Sequence, residues 1–526
     1  MRQISTLWRA NAIAFISSFC VMVIELIASR ILAPYIGVSL YTWTSIIGVI
    51  LAGIALGNYL GGKVADRYPS PLVLAAIFLA GSLMTIAILP ATRQFASAGW
   101  FGNLPVMLNF TLKTSFIFFL PAIVLSMVSP MVIKLTLADL DKTGGIVGTI
   151  YAFSTAGAIL GTFMTGFYFI LWFGTRMIVW LVAAVLLIMG IIAWFSWRIP
   201  DRWHLSLKNL ILWTLIAVIT VSYIFLYQSR EAWQGNYTRE SNYFTIQVVN
   251  QPGNVKVLWL DNLDHSYLIP EEPTTLVYEY SRVFEEIVRY ITMGKPAPRT
   301  LHLGGGGYAF PRYMEAIYPG SSNEVVEIDP AVTQVAHEEL GLPLETSIKT
   351  YNQDARLFLI QRKTGDKYDI IIGDVFNDFA TPYHLTTLEF NRLVKANLEK
   401  DGIYLILLND YPNSRYTPSF IYTLKHAFEY VYLFSVGEGW AQRKDNTLLI
   451  TGYDRVIVAT DRSIDLADYK EFVTEGGQKV SAGYPLNETD LEKWLTARDP
   501  ILLTDDRAPT DILISPIFQQ TRVISR

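Results

Sequence analysis

Along residues 1–228 apolar side chains run on with few charged interruptions, and after Gln228 the chain changes to short alternations of apolar and polar positions. Seven apolar stretches in the first part, near 10–33, 39–62, 71–92, 112–133, 146–170, 175–197 and 208–228, reach the roughly 20 helical residues needed to cross a bilayer. They predict an all-α bundle of transmembrane helices. The first stretch lacks a small-residue cleavage site and runs into further spans, so it reads as a span and not as a removable signal. The glycines of GVILAGIALGNYLGG (48–62) recur at small-xxx-small spacing, which suits close helix packing. Glu25 sits in the middle of the first span. A carboxylate there is a functional candidate, and an ion pair with Arg30 is the competing structural reading.

In the second part, YFTIQVV and VKVLWLD alternate as strands around an NQPGN turn, the pattern of a hairpin. LVYEYSRVFEEIVRYI (276–291) carries apolar residues at helical spacing. Then β-like runs, TLHLG, EVVEID, SIKTYN, YDIIIGD and GIYLILL, alternate with helix-like ones. Such alternation predicts a parallel, doubly wound sheet that binds ligands at the carboxyl ends of its strands.

Charge divides along the same line. Residues 1–228 hold 13 Lys/Arg and 5 Asp/Glu, a net of +8; the remainder holds 29 and 41, a net of −12, and the two sum to −4. An acidic second half argues against a nucleic-acid partner and suits a cationic substrate, although a solvated acidic surface accounts for the charge equally well. With the N-terminus inside, the cytoplasmic segments carry Arg2, Arg9, Lys63, Arg67, Lys134, Lys142, Arg198, Arg202 and Lys208, against Arg30, Arg93 and Arg176 outside. This bias predicts a multi-pass protein of the cell's inner membrane. Seven spans then put residue 229 onward outside the cytoplasm; a segment that fails to span would return it to the cytoplasm. The single cysteine, Cys20, excludes disulfides and thiolate metal sites within the chain.

The stretch LHLGGGGYAFPRYM (301–314) sets four glycines directly after a strand, where Cβ atoms would block the approach of a ligand. Glu327 ends the next strand, twenty residues beyond Gly307, at the spacing of an acid that grips ribose hydroxyls. The loop is not GxGxxG and no Lys-Ser/Thr follows it, so phosphate binding is poorly supported. The combination points to a nucleoside such as S-adenosylmethionine; an ordinary tight turn between strand and helix is the plainer alternative. The expected organisation is a transmembrane domain over 1–228, a β-rich piece over 229–300, and a Rossmann-like S-adenosylmethionine-type α/β domain over 301–526.

ESNYFTIQV, LDNLDHSYL, GGGGYAFPRYMEAIYPGSSNEVVEIDP, NQDARLFL and YDIIIGDVFNDFATPYHLTTLEF follow one another with their spacing held over roughly 240–435. Together they resemble the spermidine synthase family of polyamine aminopropyltransferases, above all its membrane-fused bacterial branch. The resemblance implies transfer of the aminopropyl group of decarboxylated S-adenosylmethionine to putrescine or a related amine, with release of 5′-methylthioadenosine. It implies Asp374 as the base that takes the amine's proton. Gly304, Gly305, Gly306 and Gly307 match the donor loop, and Glu327 the ribose acid. Asp354 and Ala355 match the pair beside the adenine, and Pro382 the lining of the nucleoside pocket. Tyr280, Ser281, Asn377 and Asp378 fall at amine-contacting positions. Neither a metal nor a tightly bound cofactor is implied, because the sulfonium activates its own leaving group. The expected partners are a small polyamine and the lipid bilayer, with no nucleic acid; homo-oligomer formation is left open.

The departures from that family are specific. Its loop reads GGGDGG, and Gly307 stands where the amine-holding Asp belongs. Asn377 replaces the second acid of D-x-x-D, with Asp378 next door; Phe244 replaces a Gln and Asn262 a Gly. The tail LLTDDRAPTDILI (502–514) differs from the soluble enzymes' ending, and its Asp505 and Asp506 either cap the pocket or form a surface turn. These departures keep two alternatives open: a methyltransferase using intact S-adenosylmethionine, and a non-catalytic polyamine- or nucleoside-binding sensor or transporter-like protein.

Overall fold

The computed structural model describes residues 2–96, 104–137, 143–196, 237–261, 263–293, 295–362, 367–376, 381–436, 441–444, 447–450, 453–475 and 482–515. The expected seventh span at 208–228, and Asn262, Asn377 and Asp378, lie outside these residues. The chain forms two compact units, one of Met1–Asn236, Glu240–Phe244 and Arg522–Arg526, the other of Tyr237–Arg239 and Thr245–Thr521.

In the first unit, six helices among the described residues are long and apolar enough to cross a membrane: Leu7–Ile36, Leu40–Arg67, Pro71–Ala96, Met107–Thr136, Thr143–Phe169 and Trp172–Trp194. Gly53, Gly57 and Gly61 share one face of the second helix and let the fourth approach backbone to backbone. A Cβ on Gly57 would stand 2.3 Å from the Ile123 carbonyl oxygen, and one on Gly61 2.7 Å from Met127 Cα. The Ser18 and Ser154 hydroxyls join the first and fifth helices at 2.6 Å, the kind of polar link that fastens helices in lipid. Leu51, Phe116, Phe167 and Ile188 are exposed, a surface compatible with surrounding lipid tails.

The second unit begins with a four-stranded sheet, β1 (Tyr237–Glu240), β2 (Thr245–Gln251), β3 (Val255–Leu260) and β4 (Leu263–Leu268), in chain order. The NQPGN turn closes β2 on β3 with left-handed backbone at Gly253 and Asn254 (φ 82° and 60°), which is the conformation that tight hairpins require. The helix Glu279–Ile291 follows; Val283, Phe284, Ile287 and Val288 form its buried stripe.

The main sheet contains β5 (Arg299–Leu303), β6 (Ser322–Val326), β7 (Lys349–Tyr351), β8 (Tyr368–Gly373), β9 (Leu398–Asn409), β10 (Tyr430–Val436), β13 (Asp454–Thr460) and β14 (Ala482–Pro485), while β11 (Ala441–Lys444) and β12 (Thr447–Ile450) pair separately. Its order is β14-β10-β13-β9-β8-β5-β6-β7. From β7 to β9 the pairings are parallel. From there the expectation of a parallel sheet fails. β13 runs antiparallel to both β9 and β10, because the chain returns from β10 through the β11–β12 hairpin with no crossover helix, and a strand that returns directly lies antiparallel. The architecture is thus a mixed α/β sheet of Rossmann-like winding. The helix Glu279–Ile291 packs on Ile370, Ile372, Ile403 and Leu405, and Tyr308, Val325, Ala336, Leu342 and Ile348 form a separate core cluster. β5 leads to β6 on one side and pairs with β8 on the other, so the winding reverses between β5 and β8, where such sheets open a crevice at their carboxyl edge.

Candidate active site

β5, β6 and β8 each end in a run of buried residues followed by a residue of the candidate site, which brings Gly304, Glu327 and Asp374 to one edge of the sheet. Gly304 has φ 91°, and a Cβ there would lie 2.1 Å from the Asp374 carbonyl oxygen. Both conformation and contact require glycine at this position. The Asp374 amide in turn donates to the Leu303 carbonyl at 3.0 Å. The loop and the carboxylate are therefore direct neighbours.

Glu327 is buried and organises the loop. Its Oε2 accepts from the amides of Gly305 (2.8 Å) and Gly306 (3.3 Å), and its Oε1 from the amide of Asp329 (2.9 Å). Burial raises its pKa, and the three amide bonds oppose that rise. The loop amides that would cradle a phosphate elsewhere are thus turned onto a carboxylate, which leaves lone pairs on that carboxylate for hydroxyl donors. Gly307 is glycine for another reason. Its φ is ordinary, but a Cβ would meet Ser266 Cβ of β4 at 2.7 Å, and its amide donates to Ser266 Oγ at 2.9 Å.

The Tyr280 hydroxyl donates to Asp374 Oδ2 at 2.8 Å. Burial pushes the Asp374 carboxyl up to about 6, the Tyr280 bond draws it down, and the charges of Asp454 and Glu327 raise it further. Ser281 is turned elsewhere: its hydroxyl donates to the Tyr278 carbonyl at 2.6 Å, within the first turn of its own helix. Asp354 N-caps the helix Ala355–Gln361 through the Leu357 amide (2.9 Å), and its other oxygen meets His384 Nε2 at 2.9 Å. Ala355 is buried beside it. Pro382 opens the short turn Tyr383–Leu385 that carries His384.

Several groups in this region carried no sequence signal. Asp454 begins β13 opposite Asn409, the last residue of β9, so an antiparallel strand starts where the parallel strands end. Burial and the Asp264 charge push its carboxyl up to about 6, against the pull of Arg455. Tyr267, Tyr278 and Tyr280 form an edge-to-face ladder with ring centroids 5.0 and 4.8 Å apart. Burial, with the Asp454, Asp264 and Asp374 charges, raises Tyr278 above the ordinary phenol range. Acids beside aromatic faces make an environment suited to an organic cation. Only the doubled tyrosine of VYEYS hinted at the ladder, and Asp454 becomes visible only through strand pairing.

Fold and site together define a Rossmann-like domain whose glycine loop and strand-end carboxylates share one edge. By sequence, that part of the chain is similar to polyamine aminopropyltransferases. It is 31% identical over 160 residues to a polyamine aminopropyltransferase of Vibrio vulnificus, covering 30% of this chain and 53% of that protein. It is 31% identical over 113 residues to a probable polyamine aminopropyl transferase of Bifidobacterium longum, covering 22% and 24%. The chain thus spans about half the length of the first relative and a quarter of the second. Among solved structures, a probable spermidine synthase from Corynebacterium glutamicum is similar at 23% identity and a TM-score of 0.43, covering 51% of this chain and 95% of that one. No family model matches the chain.

Proposed function

We propose that this chain is a membrane-anchored aminopropyltransferase of the spermidine synthase type, moving the aminopropyl group of decarboxylated S-adenosylmethionine to putrescine or a related amine. The observation that carries this reading is Asp374, a strand-end carboxylate raised to about 6, bonded by Tyr280 and packed on the glycine loop. A base tuned toward neutrality beside a nucleoside loop is what deprotonation of an amine requires. The nitrogen lone pair attacks the carbon next to the sulfonium, the carbon–sulfur electron pair moves to sulfur, and neutral 5′-methylthioadenosine leaves. The nitrogen's proton passes to Asp374. Asp454 and Asp264, with the Tyr278 face, hold the amine's positive charge and take over from the acid that position 307 lacks; the sequence resemblance adds Asn377 and Asp378 as further amine contacts. Glu327 receives the ribose hydroxyls, while Asp354, Ala355 and Pro382 surround the base.

In this reading residues 1–228 anchor the enzyme in the inner membrane, 229–300 contribute the amine side and 301–526 the nucleoside side. The bias of basic residues toward the N-terminal side supports an inside N-terminus, and a seventh span over 208–228 would carry the catalytic half out of the cytoplasm.

Turnover by the purified full-length protein tests the reading. The protein is supplied with decarboxylated or intact S-adenosylmethionine and a series of amines, and both nucleoside products are followed by mass. Amine-dependent 5′-methylthioadenosine is the expected product. S-adenosylhomocysteine in its place makes the protein a methyltransferase, and nucleoside binding without either product makes it a sensor.

A further inference from the structure

The tail turn Thr504–Arg507 is built into the end of the site that lies around Asp354. It is closed by reciprocal backbone bonds between Thr504 and Arg507, 3.1 and 2.9 Å. It is also anchored from behind, where Leu503 is fully buried, its amide donates to Thr423 Oγ1 at 2.9 Å, and its carbonyl accepts from Leu388 at 2.8 Å. From this turn Asp505 reaches Arg356, which follows Asp354 by two residues, and accepts both arms of its guanidinium. The same Arg356 donates to the carbonyl of His384 at 3.0 Å, while the His384 ring meets Asp354. Thr387, which caps the helix Leu388–Asn397, donates to Asp505 Oδ1 at 2.7 Å, and the Asp505 amide donates to Glu389 at 3.0 Å. One carboxylate in the tail is therefore tied to the helix that Asp354 caps and, through Arg356, to the turn that begins at Pro382.

We propose that Asp505 is a positioning residue. Through the Arg356 fork it locks the 382–385 turn against Asp354 and so fixes the width of the slot that receives the nucleoside base. A forked arginine–carboxylate pair defines a plane as well as a distance, and a monodentate substitute would leave the turn free to shift; misplacements of about 1 Å are costly in such sites. The tail then belongs to the donor-binding half of the site and is no ordinary surface turn. This inference rests on the nucleoside site proposed above.

The test uses the full-length protein, with 5′-methylthioadenosine and S-adenosylhomocysteine as binding probes, the donor KM and kcat, and thermal unfolding as a control. Asp505→Ala is expected to weaken nucleoside binding and raise the donor KM by roughly tenfold, while kcat at saturating donor and the amine KM stay within about twofold. Arg356→Lys keeps the charge and loses the fork, so it should reproduce most of the loss; combining it with Asp505→Ala should add little. Asp505→Glu should recover part of the affinity. Wild-type affinity in a folded Asp505→Ala or Arg356→Lys variant overturns the inference, as does an equal loss in kcat and amine KM, which marks a purely structural role. A wild-type protein that binds neither nucleoside overturns the proposed function itself.

Discussion

The Tyr280 hydroxyl donates to Asp374 Oδ2 at 2.8 Å, and this bond opposes burial and the charges of Asp454 and Glu327, all of which raise the carboxyl. The proposed base, Asp374, could work only when deprotonated, so activity should rise with pH through its pKa and level off above it. Tyr280→Phe removes the opposing bond and should move the rising limb of kcat/KM to higher pH. Asp454→Asn removes a raising charge and should move it lower. Profiles measured from pH 4 to 9 check both directions; coupled carboxylates report apparent values for the group as a whole. If both limbs stay in place, Asp374 is not the titrating base.

Asp374→Asn keeps the shape of the side chain and abolishes the base. Turnover should fall by roughly 10²–10⁴, with nucleoside affinity largely kept in a calorimetric titration. Stability should move the other way. The folded state holds the Asp374 proton up to about 6, against an ordinary aspartate value of 3.8, so folding is favoured by this carboxyl at low pH and loses that contribution as pH rises from about 4 to about 6. Above that window the buried charge costs at most about 3 kcal/mol. The amide variant should therefore unfold at a higher temperature than wild type at pH 7.5 and show a flatter pH dependence; a lower midpoint at that pH contradicts the assignment.

Glu327 gathers three backbone amides on two oxygens. A glutamine has one oxygen, so at least one amide would face an NH2 group. Glu327→Gln should weaken nucleoside binding by about tenfold or more, the size of a lost charge-assisted bond, with a smaller drop in kcat at saturating donor. Faster hydrogen exchange at Gly305 and Gly306 would accompany it. Unchanged exchange together with weaker binding would mean that the acid contacts only the ligand.

At Gly307 the backbone φ is ordinary, and the obstacle to a side chain is Ser266. Gly307→Asp alone should weaken both decarboxylated and intact S-adenosylmethionine. Gly307→Asp with Ser266→Gly removes the collision, and only this double variant should favour the decarboxylated donor over the intact one. A single variant that already shows the preference would mean that β4 yields readily.

With seven spans and an inside N-terminus, added protease should digest the catalytic half in intact spheroplasts. Full protection would put that half in the cytoplasm and require an even number of spans.

What the sequence made legible was local. β5, β6 and β8 are short apolar runs closed by glycine or an acid, so their ends and the neighbouring Gly304, Glu327 and Asp374 could be read along the chain. The same holds for the glycine spacing at 53, 57 and 61, which the second and fourth long apolar helices use for packing. What escaped was set by pairing across distance. β13 sits between β9 and β10 because of the route of the chain, and no residue within β13 announces it. Ser266 fills the volume beside Gly307 from 41 residues earlier in the chain. Tyr308 has left-handed backbone (φ 58°) and is fully buried, with its hydroxyl between Thr333 and Thr350; tertiary contacts hold a conformation that a tyrosine would otherwise avoid. Asp505 had two readings from sequence, pocket cap or surface turn, and the structure adds its pairing with Arg356, on the helix that Asp354 caps.

The position of β13 also governs how the sheet can be assembled. Residues 402–408 of β9 are buried without a break, and β8 covers only one side of that strand. Its other side stays an open, apolar template until residues 454–460 arrive and seal it. Open strand edges of this kind recruit other chains, and partly folded domains associate through them. A nascent chain that stops short of Thr460 would therefore present a sticky edge. Because Asp454 is the first residue of the sealing strand, closure of the sheet against self-association and delivery of the last carboxylate to the proposed amine site happen in one step.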